Sequence, residues 1–215
     1  NGEYETDQQI RIYEYHPGRS GSFAADFLEG FQGILQTDGY SGYEKIPCEA
    51  HALCWVHARR YFVEAIPPGL AKEEIAETTS GQALKKINAL FALDKELTER
   101  SIADRQQERL QLEKDKLETL FVWLKAIQPE TAPKSALGKA VNYVLNHQEG
   151  LSVYLSHGEA AMSNNICERA IRNFTIGRKN WLFSGPPQGA TASAAAYSIV
   201  EPSKANGLDP FKYLP

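Results

Sequence analysis

Asp38 closes the run Gly33-Ile34-Leu35-Gln36-Thr37-Asp38-Gly39, in which a short apolar strand ends on a carboxylate and a glycine follows at once. The C-terminal end of a strand in an α/β fold is where chemistry is presented. A carboxylate there can ligate Mg²⁺, which takes oxygen ligands and keeps several waters. The plainer alternative is a turn aspartate that caps the next helix at Tyr40.

Glu168 lies in Asn164-Asn165-Ile166-Cys167-Glu168-Arg169-Ala170-Ile171-Arg172. On a helix, Asn165, Glu168 and Arg172 share one face. A surface Glu168–Arg172 pair would explain that spacing without any function, and is worth only about 0.3–0.5 kcal/mol. Between Ser163 and Phe183, Arg169, Arg172, Arg178 and Lys179 oppose Glu168 alone, a net charge of +3. Trp181 and Phe183 stand among these cations. Such a mixture can hold phosphates and stack against bases; it also describes a core strand flanked by solvated cations. Cys54 and His57 form a Cys-x-x-His pair. Zinc needs four ligands, and adding Cys48 and His51 would require an irregular loop where a strand is read. A Cys–His nucleophile lacks a third, orienting partner. A packing or positioning role suits the pair better.

These groups need elements to place them. Ile10, Ile12, Tyr13 and Tyr15 predict a strand, with Glu5 to Gln8 as the turn of a hairpin before it. Ser22 is expected to cap a short helix running to Phe31. The strand ending at Asp38 is followed by a second unit, residues 50–57, and then by a basic amphipathic helix from Ala58 to about Ala65, stopped by Pro67-Pro68-Gly69. From Lys72 to about Gln128 the texture becomes helical. Leu84, Ile87, Leu90, Phe91 and Leu97 mark one long amphipathic helix, and Leu110, Leu117, Leu120, Phe121 and Leu124 another. A further helix is expected from about Lys134 to Gln148. Near the end, Ser163-Asn164-Asn165 can cap a helix through Phe174. A small-residue helix follows from Ala190 to Ala205, which Pro202 should kink or shorten; the tail from Asn206 reads as a loop.

Composition fits a globular chain, with 42% hydrophobic and 23% charged residues. No apolar run approaches the roughly 20 residues that span a bilayer, and no secretory leader is visible. Three cysteines form no disulfide framework and suit a reducing cytosol. The formal net charge of -4 makes any nucleic-acid contact a matter of local patches. Met162 is the sole methionine, and none opens the chain, which reads as a fragment.

Four blocks together resemble the insertion sequence 66 family of bacterial transposases. They are Gln36-Thr37-Asp38-Gly39-Tyr40-Ser41-Gly42-Tyr43, Cys54-Trp55-Val56-His57-Ala58-Arg59-Arg60, Ser163-Asn164-Asn165 through Glu168-Arg169-Ala170-Ile171-Arg172, and Gly177-Arg178-Lys179-Asn180-Trp181-Leu182-Phe183-Ser184-Gly185. Lys204-Ala205-Asn206-Gly207-Leu208 with Asp209-Pro210 also looks like that family's C-terminus. The resemblance implies an α/β, ribonuclease H-like core, truncated at its N-terminus and carrying a large all-α insertion. Residues 1–70 would be the first part of the core, 71–158 the insertion, and 159–215 the second part.

By the same resemblance Asp38 is the second Asp and Glu168 the Glu of an Asp-Asp-Glu site. Two Mg²⁺ (or Mn²⁺) ions would then serve phosphodiester cleavage and strand transfer. DNA, as transposon ends and target, would be the partner of a homo-oligomer in the bacterial cytoplasm, at the nucleoid when acting. Arg169, Arg172, Arg178, Lys179 and Trp181 would contact DNA, with Cys54, His57 and Asn165 in support. The family's first Asp lies upstream of the segment matched by Tyr13-Glu14-Tyr15-His16-Pro17, and nothing here occupies its place; Asp7 falls in a predicted turn. The parent protein would be an enzyme, and this chain alone is expected to be inactive. A non-catalytic DNA-binding or assembly module, or a nuclease on the same fold, would share many of these features.

Overall fold

The computed structural model describes residues 9–181 and 186–213, with the side chains of 178–181 and 213 outside that description. The chain is mostly helical, with a small two-stranded parallel sheet. In order, the elements are α1 (Gly21–Phe27), β1 (Ile34–Thr37), β2 (Ala50–Leu53), α2 (Trp55–Glu64), α3 (Lys72–Glu77) and α4 (Thr79–Glu96). Then come α5 (Ile102–Leu112), α6 (Lys114–Ile127), α7 (Ala136–Asn146), α8 (Gln148–Ser156), α9 (Asn165–Trp181), α10 (Pro187–Ala205) and α11 (Pro210–Tyr213). They fall into two compact units: residues 30–40 with 47–164, and residues 1–29 with 41–46 and 165–215. No helix among the described residues is long and apolar enough to cross a membrane.

In the unit of residues 30–40 and 47–164, β1 and β2 pair in parallel with Ile34 opposite Ala50 and Thr37 opposite Leu53. Helix α8 covers β2 so closely that a Cβ on Gly150 would meet the Leu53 side chain at 2.7 Å. The core holds Trp55 and Phe62 of α2, Ile87 and Leu90 of α4, Leu117, Leu120 and Leu124 of α6, and Val141 of α7. Helices α4, α5 and α7 each start where a side chain satisfies a free backbone N–H. The Thr78 hydroxyl accepts from Gly81 N at 2.9 Å, Ser101 from Asp104 N at 3.1 Å, and Ser135 from Gly138 N at 2.9 Å.

The apolar pattern misplaces one helix. The residues from Leu110 to Leu124 do not share one continuous helix, because the chain breaks at Glu113 between α5 and α6. Leu110 is 42% exposed, whereas Arg105 and Arg109 are 2% and 0% exposed. The inward face of α5 is therefore an arginine face, tolerable because each guanidinium finds acceptors. Arg105 donates to the carbonyls of Leu97, Thr98, Arg100 and Gly158. Arg109 donates to the carbonyls of Tyr154, His157 and Ala160. Helix α8 follows α7 almost at once, inside the expected helical insertion but beyond the Gln148 at which its last individually expected helix ends.

In the other unit, residues 9–16 form no strand. Ile10 and Ile12 are 63% and 62% exposed. Helix α10 supplies the bonds a neighbouring strand would otherwise give. Tyr13 N donates to Ser198 Oγ at 2.7 Å, and Asn206 exchanges bonds with the Gln9 backbone. The expected turn at Glu5 to Gln8 lies outside the described residues. Ser20, not Ser22, caps α1, which stops at Phe27 rather than Phe31. Helix α9 runs past Phe174 to Trp181, so the segment from Gly177 continues a helix and is not a strand. Helix α10 continues through Pro202 to Ala205. The tail carries the short helix α11.

Candidate active site

Strand β1 ends at the buried Thr37, and the exposed Asp38 follows. The turn beyond it is held from several sides. Asp38 Oδ1 accepts from Tyr40 N at 3.0 Å, so the capping alternative is met within the turn itself. Thr37 Oγ1 accepts from Gly39 N at 3.3 Å and bonds His51 Nε2 at 2.8 Å. The Tyr143 hydroxyl of α7 donates to the Asp38 carbonyl at 3.3 Å. Gly39 has φ +85°, a left-handed conformation that favours glycine. Only one Asp38 carboxylate oxygen is engaged by Tyr40, and the donor is a backbone amide. The carboxylate has the oxygen-donor chemistry that a hard cation takes, yet among the described residues it joins no set of three or more such ligands.

Cys54 and His57 occupy the start of α2. This helix begins at Trp55, three residues earlier than the pattern suggests, so Cys54 is its N-cap and His57 lies in its first turn. The buried Cys54 Sγ receives Asn164 N at 3.5 Å. Beside it, Trp55 N donates to the Met162 carbonyl at 2.8 Å, and Gln36 Nε2 donates to the Ala161 carbonyl. Residues 161–164 are thus fastened across the end of β1 and the start of α2. Cys54 has the positioning geometry that its burial favours. Cys48 is half-buried, Cys167 is exposed, and none of the three cysteines forms a disulfide. Among the described residues, no three His, Cys, Asp or Glu side chains gather into a set able to hold a metal ion.

Asn165 opens α9, and Glu168 sits half-buried in its first turn, where the helix dipole favours a negative charge. Arg169 and Arg172 are exposed on the same helix. Arg172 enters no ion pair among the described residues, so the surface pair with Glu168 that would have explained the spacing without function is not formed. Arg178, Lys179 and Trp181 belong to the last stretch of the α9 backbone, and their side chains lie outside the described residues. Helix α9 is anchored to its own unit: the Tyr13 hydroxyl donates to the Ala170 carbonyl at 2.9 Å, and Phe174 meets Tyr197 edge-on at 5.3 Å. Asn173 Nδ2 donates to the buried Glu201 at 2.7 Å. Asp38, Cys54 and His57 belong to one unit, and Asn165, Glu168, Arg169 and Arg172 to the other.

Sequence reasoning overlooked Tyr143. It lies on the half-buried side of α7, with its ring 4.7 Å from that of Tyr61 and 4.5 Å from that of His147. Burial, then the neighbouring Tyr61, Cys54 and Asp38, push its pKa up to about 12, so the hydroxyl stays a donor throughout the neutral range. The pattern Tyr143–His147 at i, i+4 is a weak signal, since it reads equally well as packing.

A helical chain with a parallel strand pair that presents an acidic turn is the class these features define. The model of the family described as "Transposase IS66 family" matches residues 2–192, and the chain belongs to that family. Similar proteins come from Sinorhizobium fredii (strain NBRC 101917 / NGR234). The uncharacterized protein y4qI is 33% identical over 97% of this chain and 40% of its own length. The uncharacterized protein y4jD is 30% identical over 94% of this chain and 40% of its own length. The uncharacterized protein y4hP is 28% identical, over 94% of this chain and 39% of its own. The chain thus spans about two fifths of the length of these relatives. No solved structure matches it.

Proposed function

We propose that this chain is the catalytic part of an IS66-family transposase. In this reading residues 1–70 and 159–215 make a ribonuclease H-like core, and residues 71–158 are a helical insertion. Asp38 and Glu168 hold Mg²⁺ or Mn²⁺, and DNA is the substrate. One observation carries the reading: within a chain of this family, Asp38 stands exposed just beyond a parallel strand, in a turn fixed by Thr37, Gly39 and Tyr143. When bound, a metal pair supplies activation of a water or 3′-hydroxyl and charge stabilisation at the phosphate.

The chain's own groups do the rest. Asp38 and Glu168 offer hard oxygen ligands, and Asn165 shares the Glu168 face of α9. Arg169 and Arg172, with Arg178, Lys179 and Trp181 beyond them, hold the DNA backbone and its bases. Cys54 fastens the segment leading into α9 through Asn164, and His57, in the first turn of α2, has a supporting part. In this reading the family's first Asp is not among these 215 residues, and the chain alone should then bind metal weakly and transfer no strand.

The test is Mn²⁺ titration of the isotope-labelled chain, read as paramagnetic broadening of individual amide signals. Broadening should centre on residues 38–40 and on the first turn of α9, and Asp38→Asn or Glu168→Gln should remove it. Broadening that survives both substitutions would overturn the assignment. Robust metal-dependent end cleavage by this chain alone would overturn the missing-ligand argument.

A further inference from the structure

The geometry points to Tyr143 as a positioning residue for Asp38, through which the helical stretch builds part of the carboxylate site. The inference rests on the metal-ligand reading of Asp38 given above. Its support comes from three independent features around one turn. First, the Tyr143 hydroxyl donates to the backbone carbonyl of Asp38 at 3.3 Å, so α7 touches the very residue that β1 delivers. Second, a Cβ on Gly39 would lie 2.7 Å from Tyr143 Oη, so the left-handed glycine leaves room for this hydroxyl. Third, the ring cannot swing freely, because Tyr61 of α2 and His147 at the end of α7 flank it.

His147 is itself fixed, its Nδ1 lying 2.7 Å from the Tyr143 carbonyl. Within the sheet, Thr37 Oγ1, itself bonded to His51 Nε2, accepts from the Gly39 amide. The turn is therefore gripped between the sheet and α7. The Asp38 carboxylate is aimed by the backbone, since its Oδ1 accepts from Tyr40 N. A ligand held in this way meets a cation without first losing rotational freedom, which is how supporting groups raise metal affinity. Tyr143 does not touch the reacting atoms; it acts through the Asp38 carbonyl and the space above Gly39.

Tyr143→Phe tests this, because it deletes the hydroxyl and leaves the ring between Tyr61 and His147. The full 215-residue chain is compared with the variant by amide hydrogen exchange and by Mn²⁺ broadening. Exchange of the Gly39 and Tyr40 amides should quicken about five- to tenfold, as for the loss of one hydrogen bond, while the amides of β2 stay unchanged. The Mn²⁺ concentration giving half-maximal broadening at Tyr40 should rise about threefold or more. Tyr143→Leu, which also removes the ring, should show the same changes, larger. Exchange and half-point within twofold of wild type in both variants would overturn the proposal. If wild type and Asp38→Asn broaden alike, the metal reading has failed. The exchange comparison then still decides whether Tyr143 holds the turn.

Discussion

Arg109 and Asp94 meet in the interior of the helical stretch, with Nη2 2.7 Å and Nε 2.8 Å from the same carboxylate oxygen. Both residues are buried, and Arg109 continues into the carbonyls of Tyr154, His157 and Ala160. The pair therefore ties α4 and α5 to the segment that leads, through Met162 and Asn164, to the start of α2. Asp94→Asn leaves the Arg109 charge buried without its counter-ion. The expected loss is roughly 3–5 kcal/mol, the usual cost of breaking a buried pair from one side. Urea unfolding of wild type and variant measures it, and a loss below about 1 kcal/mol would contradict this account.

Glu113, at the break between α5 and α6, gives the stability a pH dependence. Burial raises its pKa from 4.5 to about 7, assisted by the nearby Asp94; the Tyr154 hydroxyl bond and Arg109 pull the other way. Tyr154 donates to Oε2 at 2.9 Å, whereas Oε1 is buried with no hydrogen-bond partner among the described residues. Between the two values the folded chain holds a proton that the unfolded chain has released. This contribution is fully present below pH 4.5 and is lost as pH rises through about 7. Its size is on the order of 3 kcal/mol. Glu113→Gln should flatten that stretch of the stability profile, and an unaltered slope in the variant would reject Glu113 as the source.

Gly39→Ala should destabilise the turn by about 1–3 kcal/mol, since a side chain at φ +85° is strained. The new methyl also runs into Tyr143 Oη. Removing that hydroxyl relieves the second cost but not the first. In a double-mutant cycle, Gly39→Ala should therefore cost measurably less in the Tyr143→Phe background, by about 0.5 kcal/mol or more. Strict additivity would mean that the hydroxyl does not crowd position 39.

DNA affinity should depend on the exposed cations of α9. Arg169→Ala and Arg172→Ala are each expected to weaken binding to any duplex and to lower the slope of log affinity against log salt by about 1. Fluorescence anisotropy at several salt concentrations checks this. An unchanged slope in the double variant would place the DNA contact elsewhere.

Much of the candidate site is visible in the order of residue types. The run ending at Asp38-Gly39 encodes a strand and a sharp turn, because apolar residues favour burial and glycine alone enters the left-handed region freely. Asn165 to Arg172 encodes a helix with Glu168 in its first turn. Other features depend on partners that no local pattern names. Ile10 to Tyr15 has the composition of a strand, yet its backbone bonds go to side chains of α10 nearly two hundred residues away. The Leu110 pattern points an apolar face inward, but Arg105 and Arg109 take that place because distant carbonyls await them.

The sequence by itself determined the family, the carboxylate at the end of β1, the start of α9 and the helical character of the middle of the chain. Those features depend on short-range spacing, on the conformational limits of single residues and on motifs read in order. Tertiary structure alone decided which face of α5 is buried, that Cys54 holds Asn164, and that Tyr143 reaches across 105 positions to Asp38. Each of these is a hydrogen bond between groups far apart in the chain. Such a bond depends on where packing brings the partners, and neither partner's neighbours in sequence record it.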